Sequence, residues 1–135
     1  MATFNKFNSF VQALGEKKHD LSNDQLVVAL TNSEPQATNS FLGDITEIDY
    51  ANLTSRNLTT LSWSNTSGVS SLGIEALEIS ATGSAPAFQY VVIYNDTASN
   101  DELVGWYGIG EVLELESGDK FNIVFLDSNK ILDIV

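Results

Sequence analysis

The most apolar run of the chain reads Phe88-Gln89-Tyr90-Val91-Val92-Ile93-Tyr94. Its β-branched and aromatic residues are typical of a strand buried inside a sheet, so this run is predicted to be a central β-strand. Leu103–Tyr107 follows across a polar loop, Asn95–Glu102, and is predicted to pair with it. Leu26–Thr31 is a second β-branched segment, followed by a polar turn. These segments indicate that a β-sheet forms the core of the fold.

Other short apolar segments are spaced regularly along the chain. Apolar residues at 112–115 and 121–125 flank Ser117-Gly118-Asp119, which is the pattern of a β-hairpin. The whole pattern predicts a mainly β fold: an antiparallel β-sandwich or barrel of about 7–8 short strands with one N-terminal amphipathic α-helix. The remaining strands are predicted at Asp44–Ile48, Leu58–Ser64, Ile74–Ile79 and Ile131–Val135.

The N-terminal segment has a helical period instead. Its apolar residues recur at spacings of three, four and seven, which places them on one face of a helix. Lys17, Lys18 and His19 fall at the end of that helix, where the helix dipole favours cations. We therefore expect a single domain, 1–135, made of an N-terminal helix at 1–21 and a β domain at 25–135 with a long polar loop at 32–57. The apolar residues of the helix are Phe4, Phe7, Phe10, Val11, Leu14 and Leu21.

The composition argues against several classes of function. The 135 residues include 18 acidic and 6 basic ones, giving a net charge of −12, with no cysteine and one histidine. An acidic chain lacks the cationic surface that binds a phosphate backbone, so no nucleic acid is expected as a partner. Without cysteine there is no disulfide and no thiolate metal site. No apolar run is long enough to cross a bilayer and no signal-peptide pattern is present, so no membrane partner is expected.

One loop has residues suited to a metal ion. Asp96, Asp101 and Glu102 lie together with Asn95 and Asn100, and oxygen atoms of these types are ligands for calcium. The ligand spacing of an EF-hand is absent, and a solvated hairpin loop is the alternative interpretation. No metal or other cofactor is therefore predicted.

Aromatic residues allow a second binding function, because flat rings can stack on sugars. Packing inside the sheet is the alternative interpretation. His19 has no neighbouring nucleophile, and no nucleophile elbow, phosphate loop or dinucleotide motif occurs, so no catalytic residue is assigned and the chain is not expected to be an enzyme. The aromatic residues in question are Trp63, Tyr90, Tyr94, Trp106 and Tyr107.

Several segments, taken in order, resemble a known family. They are Phe4–Val11, Val28–Asn32 with Pro35 and Ala37–Asn39, Asp44–Ile48, Tyr90–Ala98 and Gly105–Tyr107. The chain in these segments is similar to a widespread set of small virion structural proteins of tailed bacteriophages, of the head decoration (cement) type. Residues 49–72 depart from that family, which is glycine-rich there, whereas this chain is rich in Asn, Ser and Leu.

The resemblance implies a structural role in a phage particle, without catalytic residues. We expect a protein made in the host bacterial cytoplasm that binds the outer surface of the major capsid lattice and stabilises the head. Other copies of the chain, in a trimer or another ring, are the second expected partner. A tail, baseplate or fibre-associated protein that binds host carbohydrate is the alternative. The residues expected to dock are Phe4, Lys6, Phe7, Phe41 and Arg56, of which Phe4 and Phe7 suit the protein's own core equally well.

Overall fold

The computed structural model describes residues 4–124 and the backbone of residues 130–134. The predicted class is confirmed: the chain is mainly β, its strands pair antiparallel, one short helix lies near the N-terminus, and the sheets do not close into a barrel. The elements are β1 (Asn5–Lys6), α1 (Asn8–Gly15), β2 (Leu26–Thr31), β3 (Thr60–Thr66), β4 (Val69–Ile74), β5 (Leu77–Ser80), β6 (Phe88–Asn95), β7 (Leu103–Leu113), β8 (Lys120–Ile123) and β9 (Lys130–Ile134), with a 3₁₀ turn at Leu42–Asp44.

The main sheet has the strand order β1-β7-β6-β2. β6 contains the apolar run predicted to be central, and it pairs antiparallel with β2 on one side and β7 on the other. Val91, for example, lies opposite Leu30 on β2 and opposite Tyr107 on β7. The central position of this run and its pairing with the segment after residue 102 are therefore confirmed.

Both faces of this sheet are buried. Side chains of a strand alternate between its two faces, and in β2 and β6 both sets are apolar. Val28, Leu30, Val91 and Ile93 belong to the larger core cluster. The alternate residues of the same strands belong to a second, smaller cluster that contains Phe7. This double burial explains why residues 88–94 form a continuous apolar run.

Two smaller sheets share the larger core. One has the order β3-β4-β9 and the other consists of β5 and β8. Leu72 and Ile74 of β4, Ile79 of β5 and Ile123 of β8 are fully buried in the same cluster as the side chains of β2 and β6. The small sheets and the main sheet are therefore held together by a single apolar layer.

The hairpin β3–β4 closes with two residues of positive φ, Ser67 at 51° and Gly68 at 89°. A two-residue loop with both residues in the left-handed region matches the right-handed twist of the strands that it joins. The sequence predicted the first of these strands, as Leu58–Ser64, but it missed β4. Two serines and a glycine separate the apolar residues of β4, so this segment lacks a clear strand pattern.

The N-terminal helix is shorter than predicted. α1 covers only Asn8–Gly15, and Phe7 at its start has an extended backbone. Asn5 and Lys6 pair with Trp106 and Gly105 of β7 instead of joining the helix. A sheet edge offers these residues backbone partners, which a first helical turn does not. The apolar period of three therefore spans an extended segment and a helix.

Three other sequence predictions are wrong in detail. Residues 112–124 of the predicted hairpin at 112–125 do not form one, because β8 pairs with β5 and the chain before it crosses to the opposite layer, and Phe125 lies outside the described residues. This crossing is fixed by backbone bonds from Ala85 to Leu115 and from Gly118 to Ala81. The strand predicted at 44–48 is absent, since the 3₁₀ turn and an irregular segment occupy that region. The strand predicted at 74–79 is interrupted between β4 and β5, and Val135 of the last predicted strand lies outside the described residues.

The end of the long polar loop covers the outer edge of β2. Val28 donates its backbone N–H to the Arg56 carbonyl (2.9 Å), Leu58 donates to Leu26 (2.9 Å), and Ile48 donates to Leu30 (3.0 Å). The predicted loop at 32–57 is therefore largely irregular, but part of it pairs with the main sheet. It supplies partners to backbone groups that an uncovered edge leaves free.

Gly105 should tolerate substitution poorly. A Cβ there would overlap the Phe4 ring and lie 2.6 Å from the backbone oxygen of Asn5. We expect Gly105→Ala to lower the free energy of unfolding by about 1–3 kcal/mol, as overpacking does. The matched control is Gly15→Ala, where nothing lies within 4 Å and a gain of about 0.4–1 kcal/mol is expected. Urea unfolding measures both, and equal stabilities of the two variants would contradict the packing of β1 on β7.

Candidate functional site

A cleft of about 420 Å³ lies between α1 and the segments at 40–41 and 100–102. Gln12 and Glu16 of the helix form part of one wall, and Phe41, Asn100 and Glu102 contribute to the rest. The cleft is therefore lined by polar and charged groups together with one aromatic ring. In the described part of the chain, this cleft has a concave surface next to buried ionisable groups, a combination that is common in binding sites.

Backbone contacts hold the Phe41 side of the cleft in place. Leu42 donates to the Asp101 carbonyl (3.0 Å), and Leu103 donates to the Ser40 carbonyl (3.0 Å). The Asp44 carboxylate accepts the backbone N–H groups of Ser40 (2.9 Å) and Phe41 (3.2 Å). These two hydrogen bonds lower the pKa of Asp44. The Phe41 side chain, 44% exposed, is thus presented on a fixed backbone.

Behind the cleft lies a cluster of buried polar side chains. His19, Asn95 and Glu102 are each at most 5% exposed. The Asn95 Oδ1 atom accepts the backbone N–H groups of Thr97 (3.0 Å) and Ala98 (3.1 Å), which fixes the orientation of the amide. The Asn95 Nδ2 atom consequently faces the other way and donates to Asp24 Oδ2 at 2.7 Å.

The same Asn95 amide defines the tautomer of His19. Its Nδ2 lies 3.0 Å from His19 Nδ1, so this ring nitrogen is the acceptor and the proton of a neutral ring sits on Nε2. Burial lowers the pKa of His19, opposed by the charges of Glu102 and Asp24. The sequence placed His19 at a helix end as a cation. It instead lies buried beyond the helix, with its ring centroid 5.2 Å from that of Phe10.

Two polar atoms of this cluster are buried without a hydrogen-bond partner among the described residues: His19 Nε2 and Glu102 Oε2. The other carboxylate oxygen of Glu102 accepts the Asn100 backbone N–H at 2.9 Å. A buried polar group without a partner costs about 1–3 kcal/mol, so such groups are rare in a stable core. The cluster therefore offers one free donor and one free acceptor, and the residue that carries the free acceptor also lines the cleft.

The structure does not bring the five predicted docking residues together. Phe7 is 1% exposed, with its ring centroid 4.5 Å from that of Trp106, and Phe4 packs partly buried against the larger core. Both phenylalanines thus serve the protein's own core, one of the two roles that their pattern allowed. Lys6 is exposed on β1, at the opposite edge of the main sheet from Arg56.

Arg56 is engaged within the chain. Its guanidinium lies 3.6 Å from the centre of the Tyr50 ring, donates to the Val28 carbonyl and lies 4.0 Å from a carboxylate oxygen of Glu47. Tyr50 in turn donates its hydroxyl proton to Glu47 and accepts the Leu30 N–H. Arg56 therefore fixes the segment that covers β2. Of the five residues, Phe41 combines an exposed apolar side chain with a position at the cleft.

The aromatic residues do not form a single sugar-stacking platform. Trp106 packs with the smaller core cluster, whereas Trp63 packs against the larger one. Tyr94 is buried, and burial raises the pKa of Tyr107 to about 12. Packing in the sheets accounts for these rings.

The acidic loop at 95–102 places its side chains in different directions. Asn95 and Glu102 are buried, whereas Asp96 is exposed. Burial, together with the charges of Asp96 and Glu102, raises the pKa of Asp101. Within residues 4–124, no three His, Cys, Asp or Glu side chains converge in a geometry suited to a metal ion.

Comparison of the chain with known protein families, curated sequences and solved structures found no match. In the described part of the chain, the helix is too short and too polar to span a bilayer.

His19 should titrate below the ordinary histidine pKa of 6.5, because burial lowers its pKa. The unfolded chain then binds this proton at a higher pH than the folded chain does. The free energy of unfolding from this group is greatest above pH 6.5 and falls as the pH is lowered through 6.5 toward the folded-state pKa. Since the chain has one histidine, its imidazole NMR signals are unique. The urea-unfolded chain is the control, and a folded midpoint at or above 6.5 would contradict the buried neutral ring.

Proposed function

We propose that this protein is a virion structural protein of a tailed bacteriophage, a decoration protein that binds the outer surface of the major capsid lattice and stabilises the head. Two observations support this proposal. Segments from Phe4 to Tyr107 resemble small phage virion proteins, and the cleft beside α1 gives the chain a surface suited to docking on another protein. The observation that carries the proposal is the exposed Phe41 ring on its fixed backbone at that cleft.

Phe41 has the properties of an interface anchor. Aromatic side chains dominate the binding free energy of many interfaces, and an anchor that is already held in place loses little conformational entropy on binding. Its backbone is fixed by Asp44, and its strand-like bridge to Glu102 ties it to the start of β7. Val11 of α1, also about half exposed, adds apolar surface on the helix whose Gln12 lines the cleft.

The buried cluster gives the same surface a polar preference. Glu102 lines the cleft and has one carboxylate oxygen without a hydrogen-bond partner among the described residues. This oxygen is buried in the free protein, so a donor from the capsid lattice, such as a lysine ammonium or a hydroxyl group, would complete the hydrogen bond only where docking opens the cleft down to Glu102. Charge-assisted hydrogen bonds are roughly twice as strong as neutral ones, so a basic side chain suits the site best.

Stabilisation of the head would follow from linkage. A protein that binds one state of the lattice and not another shifts the equilibrium toward the state that it binds. A decoration protein specific for the expanded shell therefore opposes its rupture. The net charge of −12 would also disfavour contact between its outward surface and DNA.

A tail or fibre location is the alternative placement. It predicts a few copies at one vertex instead of many copies distributed over the head. The separation of Trp63 from Trp106 gives no support to the carbohydrate-binding version of this alternative. Cryo-electron microscopy of assembled particles would distinguish the two placements directly.

Phe41→Asp should weaken binding to purified expanded heads by about tenfold or more, the usual effect of losing a central aromatic anchor. The measurement is co-sedimentation of the protein with heads over a range of protein concentrations. Val112→Asp is the matched control, because Val112 is 52% exposed on β7 and the substitution changes the charge equally. Binding by Phe41→Asp at wild-type strength would contradict the docking surface, and failure of the wild-type protein to bind heads would overturn the decoration function.

A further inference from the structure

The hairpin β3–β4 lies within a charge-free stretch of an otherwise acidic chain. No residue between Arg56 and Glu75 is charged, although the whole chain carries a net charge of −12. This stretch includes all of β3 and β4, and most of β3 is exposed. The hairpin is therefore a surface on which another strongly acidic protein meets no fixed charge.

β3 is also an edge strand. It pairs with β4 on one side, and no described residue pairs with its other side. Both edges of the main sheet, in contrast, have backbone partners: residues 48–58 hydrogen-bond along β2, and β1 pairs with part of β7. An uncovered edge presents backbone N–H and C=O groups that can accept another strand.

The usual devices that protect an edge are scarce in β3. Lysine, proline and inward-pointing charges commonly block strand addition, and none of them occurs between Thr60 and Thr66. The register shifts once, between Thr60 and Ser62, and is then regular from Ser62 to Thr66. Leu61, beside this regular part, is 53% exposed. The regular part of β3 is thus available as a pairing template.

We propose that the protein forms a two-fold symmetric dimer in which β3 pairs antiparallel with β3 of a second copy. An antiparallel pair of identical strands is self-complementary, as a two-fold interface requires. It would join two three-stranded sheets into one of six strands. A second copy is the occupant that this edge favours, because two chains of net charge −12 repel each other least where neither carries a charge. The dimer needs no capsid, so its test is independent of the decoration function.

The test is the mass of the purified full chain over a concentration series, measured by sedimentation velocity and light scattering. The expected result is a concentration-dependent change from 14.7 kDa to twice that mass. Ser64→Asp, at an exposed position in the regular part of β3, should weaken the dimer at least tenfold, because two carboxylates are brought close across the pair. Added salt should restore part of the affinity by screening.

Val112→Asp is the matched control, since it adds the same charge at a site on β7 that is also exposed and should leave dimerisation unchanged. Hydrogen exchange adds a second readout: β3 amides should gain protection in the wild-type dimer and not in Ser64→Asp, while β6 stays equally protected in both. A wild-type mass of 14.7 kDa at every concentration, a trimer, or equal weakening by both variants would overturn the proposal.

Discussion

The position of β6 determines the rest of the structure. It is hydrogen-bonded along both of its sides and buried on both of its faces, so it has no contact with water along most of its length. One face requires the two smaller sheets as a cover, and the other requires Phe7, Leu103 and their neighbours. Strands β2 and β7 gain their places by pairing with it. Without this doubly buried strand, the two apolar clusters would have no common wall.

The local sequence pattern was sufficient to predict the strands that are buried on both faces. The bounds of β2 were predicted to the residue, and the centre of β6 was identified, because a fully buried strand must be apolar at consecutive positions. The helix predicted at the N-terminus was too long, because Phe7 and Phe10 have helical spacing but belong to different clusters, on opposite faces of the main sheet. The local pattern also failed for β8, whose partner β5 is distant in sequence and contributes nothing to a local hairpin pattern.

The candidate site was harder to predict than the fold. Its polar cluster depends on contact between His19 and Asn95, which are 76 positions apart. Nothing in either local segment indicates this contact, and His19 next to two lysines looks like a charged helix end. The apolar Leu21, two residues after His19, was the available signal in the sequence that this segment turns inward. In the structure Leu21 is fully buried. Phe41 was identified from the sequence, but its fixed backbone depends on Asp44 and on a bridge to a distant strand.

The covering of β2 by residues 48–58 also affects how the folded protein behaves when crowded. Amyloid-like and filamentous assemblies grow when exposed strand edges recruit identical edges without limit. Through the Arg56 and Leu58 contacts, the chain occupies the outer edge of its most apolar sheet with its own backbone. The outer edge of β2 is therefore unable to pair with a strand of another chain for as long as that segment stays in place. A change that detaches this segment would expose the backbone groups of the β2 edge to strands of other chains.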